Sequence, residues 1–281
     1  MLEYLYLGRM AYDEALALQN ELVELRRLGR IGNTLLLLEH EPVLTLGRNA
    51  DRSNVLASDE LLASRGVSLH QISRGGDVTY HGPGQLIGYP IFDLRSLRNP
   101  GGNQNRAYIG PVDFVRLMEE ALIRLCGTYG VHAGRITGLT GVWCPASGGS
   151  LDASGQVQGR AGKIAAIGIH VSRGITSHGF AFNLTTNLSD FLLINPCGIT
   201  DKPVTSLKLE LERELTDAAR LPGLEAAAHE AARQFGMVFA QPVLAVESLH
   251  ALRARAAEDT PAQAPRELER VTGREHELYR V

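Results

Sequence analysis

The chain has little that would tie it to a nucleic acid, a membrane or a disulfide framework. Its 281 residues carry a net charge of −3, so no overall positive field draws it to a polyanion. No apolar run approaches the roughly 20 residues needed to span a bilayer. The opening MLEYLYLGRM places Glu3 where a secretory leader would be basic, so no signal peptide is expected there. Cysteine is scarce: Cys126, Cys144 and Cys197 make an odd number with no CxxC pair. A disulfide framework or a structural zinc site is therefore not expected, and a reducing cytoplasm is the natural compartment. There is no internal repeat, no GxxxxGK(S/T) phosphate loop, and no HxxxH or HExxH pair that would hold a metal.

What is present is an ordinary globular composition, 44% hydrophobic and 21% charged, on a chain long enough for one large core or a main domain with an appendage. Ala15, Leu18, Leu22 and Leu25 recur at helical spacing and stop at Gly29. NTLLLLEHEPVLTLGR reads as a buried strand, a break at Pro42 and a second short strand, and SDELLASRG as a short helix capped by Ser58. GPVDFVRLMEEALIRLCGTYG is the clearest helix, with Phe114, Met118, Ala121, Leu122 and Leu125 on one face. Strand-like segments cluster in the middle: VSLHQIS, QLIGYPIFDL, VHAGRI, TGVWC, KIAAIGIHVS and TSHGFAFNL. LEAAAHEAARQFG and AVESLHALRARA are helical again. Strands in the centre with helices at both ends give an α+β, or mixed α/β, class: a central mixed sheet flanked by helices. Residues 1–245 are expected to form the main unit and 246–281 a helical tail that turns charged, proline-broken and frayed after Ala257. Residues 145–160, PASGGSLDASGQVQGR, read as a mobile loop that contributes little to the core.

The densest chemistry lies in RGGDVTYHGPGQLIGYPIFDL, residues 74 to 94. Gly82, Gly84 and Gly88 are one residue off GxGxxG and precede a strand instead of opening a helix, so the dinucleotide reading fails its own context. Glycines let a backbone approach a ligand closely, and Arg74, Asp77, Thr79, Tyr80 and His81 supply polar groups beside them. Cys126 and Cys144 fit buried structural positions. Cys197, in INPCGI, sits in a Pro-Cys-Gly turn and is open to either a structural or a reactive role. Lys163 opens GKIAAIGIHVS; it is either a solvated lysine at a strand end or an ammonium at the mouth of a pocket. An ammonium beside Cys197 would favour the thiolate. His40, His81 and His178 each stand in loop-like contexts suited to hydrogen bonding a substrate more than to binding metal.

RGGDVTYHGPGQLIGYPIFDL, GKIAAIGIHVSRGITSHGFAFNL and INPCGI, with HEPVLTLGR and TGVWC between and before them, together resemble the lipoyl(octanoyl) transferases over residues 34 to 205, in the family's order. The resemblance implies a fold similar to biotin and lipoate protein ligases, with no cofactor and no metal. It implies transfer of octanoate from octanoyl-acyl carrier protein to Cys197 as a thioester, then to a lysine of lipoyl domains of 2-oxoacid dehydrogenase complexes and of the glycine cleavage H protein. Lys163 matches the family's lysine that lowers the thiol pKa. Arg74, Gly75, Gly76, Asp77, Val78, Thr79, Tyr80 and His81, with Ala166, Ile167 and Gly168 and with Gly179, Phe180 and Ala181, match its acyl-contacting segments. Residues 145–160 read as an insertion and NPGGNQNRAYIG as an extension, both at the pocket rim. An acidic carrier would need a local basic rim on this net-negative chain, for which Arg48, Arg74 and Arg173 are the candidates. The alternative is an ATP-dependent lipoate ligase on the same fold, which needs no cysteine. The third reading is a non-catalytic protein that binds lipid or lipoyl domains.

Overall fold

The computed structural model describes residues 1–97, 108–195, 203–213 and 221–258. Strand β1 (Leu2–Met10) leads into helix α1 (Tyr12–Arg27), and β2 (Asn33–His40) and β3 (Val43–Leu46) lie either side of Pro42. Helix α2 (Asp59–Ser64) begins where the Ser58 hydroxyl accepts the Leu61 N–H, as expected of its cap. Next come β4 (Ser68–Gln71), β5 (Val78–His81), β6 (Gln85–Ile91) and helix α3 (Pro111–Thr128). They are followed by β7 (Gly134–Ile136), β8 (Leu139–Pro145), β9 (Ser150–Leu151), β10 (Val157–Gln158), β11 (Ala161–Ser172) and β12 (Ile175–Asn183). Helices α4 (Leu207–Arg213) and α5 (Leu224–Val238), strand β13 (Val243–Ala245) and helix α6 (Leu249–Ala257) complete the described chain.

Among the described residues, eight strands form one mixed sheet in the order β13-β1-β2-β6-β12-β11-β8-β7. β13, β1 and β2 run parallel to one another, and the remaining neighbours pair antiparallel. Alternation along β2 decides which residue meets which layer. Leu35 and Leu37 face a core with α3, α4 and α5, while Leu36 and Leu38 face one with α1 and α6. The apolar face of α3 is the expected one: Phe114, Met118, Leu122 and Leu125 are fully buried. Helix α6 joins the α1-side core through Leu252 and Ala256, and Arg255 pairs with Glu3 at 2.8 Å. A smaller sheet, β4-β3-β5, stands beside the large one and carries the glycine-rich segment toward it.

Residues 145–160 correct the expectation of a mobile, weakly packed loop. β9 and β10 pair antiparallel as a hairpin, and the Asp152 carboxylate accepts the N–H groups of Ser154 and Gln156 to close its turn. Val157 is 5% exposed and packs with Trp143, Ala161 and Leu151. Two apolar side chains on a two-strand hairpin are too few to show as periodicity, yet they close one side of a tryptophan. Replacing Ala146–Gln158 with a short Gly-Ser link is expected to cost about 2–3 kcal/mol in lost apolar burial. That lowers the melting temperature by roughly 4 °C or more in a chain of this length, read by calorimetry or circular dichroism. An unchanged melting temperature would show the hairpin to be idle.

Candidate active site

Strand β11 makes the site possible because β8 accompanies it for only part of its length. The β8 pairing covers Ala161 to Ala165. Farther along, the Gly75 N–H donates to the Ile169 carbonyl at 3.0 Å, which lays the Arg74–Asp77 loop across the strand. Between those points Ala166, Ile167 and Gly168 line a cavity of about 390 Å³. A Cβ on Gly168 would stand 2.9 Å from the Gly75 carbonyl and 3.2 Å from Arg74 Cδ, so only glycine allows the loop this close.

The cavity gathers most of the residues the sequence put forward. Arg74, Gly75, Gly76, Asp77, Val78, Thr79 and His81 line it, as do Lys163, Ala166, Ile167 and Gly168, and Gly179, Phe180 and Ala181. Tyr80 does not. Side chains alternate along β5, so Tyr80 points away, is 2% exposed, and donates its hydroxyl to Asp190 at 3.0 Å. Arg74 is corrected as a rim residue. It is buried, with Nη2 donating to the Thr45 carbonyl and hydroxyl at 2.7 and 2.9 Å, which fastens the loop to β3. Arg48 and Arg173 are exposed, and Arg48 meets His170 Nδ1 at 3.0 Å. Cys197 lies outside the described residues, as does most of NPGGNQNRAYIG. Phe191 and Val204, on either side of Cys197 in sequence, both line the cavity. Cys126 and Cys144 are buried, and burial pushes the Cys126 thiol well up, out of reach as a nucleophile at neutral pH.

Lys163 is half-buried at one part of the wall. Its N–H donates to the Pro203 carbonyl and its carbonyl accepts the Thr205 N–H, each at 2.9 Å. The β8–β11 register shifts between Lys163 and Ala165. That bulge sends both Ile164 and Ala165 into the main core and leaves Lys163 at the cavity. Trp143, Leu139, Val115 and Tyr12 also line the cavity and carry no local sequence signal for it. They arrive through strand pairing and helix packing over long separations.

A hydrogen-bond relay fixes the state of His81. Asn183 Nδ2 donates to the Thr205 carbonyl at 2.9 Å, so Asn183 Oδ1 accepts from Gln85 Nε2 at 2.9 Å. Gln85 Oε1 therefore accepts from His81 Nδ1 at 2.8 Å, and Nε2 of His81 is left as a bare acceptor. Burial, then the nearness of His40, pushes His81 down to about 3, in keeping with a neutral ring. Nδ1 of His40 donates to the Met10 carbonyl and Nε2 accepts the Tyr89 hydroxyl, and burial lowers His40 to about 4. His178, also buried, is lowered to about 4 by burial and then by the Arg74 charge. Among the described residues no cluster of three or more His, Cys, Asp or Glu is placed to hold a metal ion. No described helix is long and apolar enough to cross a membrane.

The arrangement resembles known proteins in sequence and in fold. The profile of the lipoyl protein ligase A/B catalytic domain matches residues 11–221. The chain is 58% identical over 250 residues to an octanoyltransferase of Acidobacterium capsulatum, covering 88% of this chain and 94% of that one. It is 51% identical over 271 residues to an octanoyltransferase of Koribacter versatilis, covering 96% and 97%. A lipoate-protein ligase A bound with ATP superposes with a TM-score of 0.63 at 15% identity, over 92% of this chain and 94% of that one. A bipartite lipoate protein ligase from Thermoplasma acidophilum gives 0.62 at 15%, over 92% and 91%. The fold is that of the lipoate-protein ligases, mixed α/β as the sequence indicated.

The three neutral histidines make stability acid-sensitive. The unfolded chain protonates each near pH ~6.5, while the native chain resists until about pH 4 or lower. Stability is therefore intact above about pH 6.5 and falls as pH drops through that window, by ~1.4 kcal/mol per pH unit for each histidine. Asn tolerates the left-handed backbone of His178, where φ is 55°, and does not titrate. His178→Asn is expected to remove about one proton, ~1.4 kcal/mol per unit, from the slope of stability between about pH 6 and about pH 5. Urea midpoints across that range test it, and an unchanged slope would show His178 to titrate normally in the native state.

Proposed function

We propose, starting from the fact that the chain belongs to the lipoyl protein ligase A/B catalytic domain family, that it moves an octanoyl group from octanoyl-acyl carrier protein to a lysine of lipoyl domains through a Cys197 thioester. The chain is an acyltransferase of protein lipoylation. The observation that carries the finer reading is the placement of Lys163. Its half-buried side chain stands on the wall of an acyl-sized cavity that Phe191 and Val204, flanking Cys197 in sequence, also line.

The chemistry runs in two balanced steps. The Cys197 thiolate attacks the donor thioester carbon, the carbon–sulfur bond to the pantetheine arm breaks, and that sulfur leaves and takes up a proton. The neutral ε-amine of the acceptor lysine then attacks the Cys197 thioester, an amide bond forms, and the Cys197 sulfur leaves as thiolate. Lys163 as ammonium favours the Cys197 thiolate before the first transfer and gives its proton to the leaving pantetheine sulfur; as the resulting amine it takes the proton the acceptor nitrogen loses in the second. The backbone N–H groups of the glycine-rich loop are the donors available to the tetrahedral oxyanion. The apolar part of the wall, including Ile167 and Phe180, covers the acyl tail, whose burial supplies about 5 kcal/mol at ~0.8 kcal/mol per CH₂. The acceptors are the lipoyl domains of 2-oxoacid dehydrogenase complexes and the glycine cleavage H protein, and the setting is a reducing cytoplasm in which the thiol stays free. An ATP-dependent ligase on the same fold has no use for Cys197, and relatives above 50% identity carry the name octanoyltransferase.

The deciding experiment mixes the protein with octanoyl-carrier protein and a lipoyl domain, without ATP, and reads intact masses. One octanoyl group is expected on the lipoyl domain and, before acceptor is added, on Cys197. Cys197→Ala should fold and form no acyl-enzyme, and Lys163→Ala should slow acylation strongly at neutral pH with partial recovery as pH rises. Strict dependence on ATP, or a thioester mapped to Cys126 or Cys144, would overturn the reading. Because the cavity is finite, octanoyl transfer should exceed hexadecanoyl transfer at least ~10-fold in kcat/KM, or ~1.4 kcal/mol; equal rates would remove the acyl-cavity argument.

A further inference from the structure

Trp143 and Lys163 stand directly opposite each other on β8 and β11. The lysine Nζ lies over the indole, 4.6 Å from the ring centroid, within the distance at which a cation is attracted to an aromatic face. Trp143 is 1% exposed, and its Nε1–H is buried without an acceptor among the described residues. A buried indole ordinarily spends that donor on a hydrogen bond. Here the described contacts leave the ring face as the part that is used.

Three neighbours hold the pair in place. Around the ring, Val157 and Leu151 of the β9–β10 hairpin pack with Ala161 and Ile136. Beside the lysine stem, Gly141 adopts φ +118°, and a Cβ there would meet the Ala165 carbonyl at 2.6 Å and Lys163 Cε at 3.6 Å. The fully buried Glu119 carboxylate accepts the Gly141 N–H at 3.0 Å and is itself neutralised by Arg116 and Arg135. Beneath, the Lys163 backbone is bonded to Pro203 and Thr205.

We infer that Trp143 is the positioning residue for Lys163: its ring face holds the ammonium at the cavity wall and favours its charged form. The inference rests on the role proposed above for Lys163, but its geometry does not. Removing the ring makes the ammonium easier to deprotonate, so the proton that Lys163 gives to the leaving pantetheine sulfur is lost at lower pH. The basic limb of acylation must then move toward neutrality, while a change that only loosened the fold would scale the rate without moving the limb.

Trp143 is the sole tryptophan of the chain, so its emission can be read alone. Excited at the red edge of the indole band, the wild-type protein is expected to show an emission step at alkaline pH that Lys163→Met abolishes. Acylation by octanoyl-carrier protein is then followed against pH. Trp143→Leu should move the basic limb down by about half a pH unit or more, with Trp143→Phe between it and wild type. Melting temperatures of the variants separate lost stability from a displaced limb. The inference is overturned if Lys163→Met leaves the emission step intact, or if Trp143→Leu slows acylation with its basic limb unmoved. Because the emission titration uses no substrate, it stands even if acyl transfer proceeds by another route.

Discussion

Everything about the site depends on how closely a loop can lie against an uncovered strand. β11 loses β8 after Ala165, and the Gly75–Ile169 hydrogen bond supplies the next partner along it. That bond requires the loop to cross Gly168 with no side chain between them. A residue with a Cβ there would lift the loop, detach Arg74 from Thr45 and open the cavity to water. The guanidinium is therefore spent inside the protein, as a staple between β3 and the loop, and its long stem forms part of the wall. A fork of fixed N–H donors suits that task because it meets a carbonyl and a hydroxyl at once.

The electrostatics follow from the same enclosure. Taking an imidazole out of water disfavours its charged form. His40, His81 and His178 are neutral for that reason, and the relay from the Thr205 carbonyl through Asn183 and Gln85 determines which His81 nitrogen carries the proton. Thr205 also donates to the Lys163 carbonyl. The segment that aligns the lysine backbone is thus the one that sets the histidine tautomer. The charged residue types on the cavity wall are Lys163, the internally committed Arg74, and Asp77, whose carboxylate accepts from Asn54.

Elements with a local signature were legible in the sequence. The α3 face, the Ser58 cap and the two strands around Pro42 follow from spacing and turn chemistry, and each stands as expected. The candidate residues cluster because three glycine-bearing segments converge on β11, a convergence visible only through resemblance to a family. What local reading missed is what depends on partners. β1 and β13 pair in parallel, Leu2 with Val243, across nearly the whole chain, and neither segment marks the other. Tyr80 looked like its neighbours in the motif, yet strand alternation turns it to the opposite side. Arg74 read as a surface charge because burial of its fork depends on a carbonyl 29 residues earlier.

The hairpin of residues 150–158 shows how far such a dependence reaches. In sequence it is a polar interruption between a strand and a candidate lysine. In the structure Val157 and Leu151 pack in one cluster with Trp143, and the ammonium of Lys163 lies over the Trp143 ring. A lysine stem has four rotatable carbons and gains little by staying in one place at a surface. Confining it needs a rigid face on one side, and a two-strand sheet supplies that face only if something closes it from behind. The Glu119–Gly141 hydrogen bond does the same for the lysine's other flank, at a backbone angle that other residues adopt poorly. Segments that look dispensable on composition thus set the position of one ammonium group, and the pH at which that group keeps its charge follows from their packing.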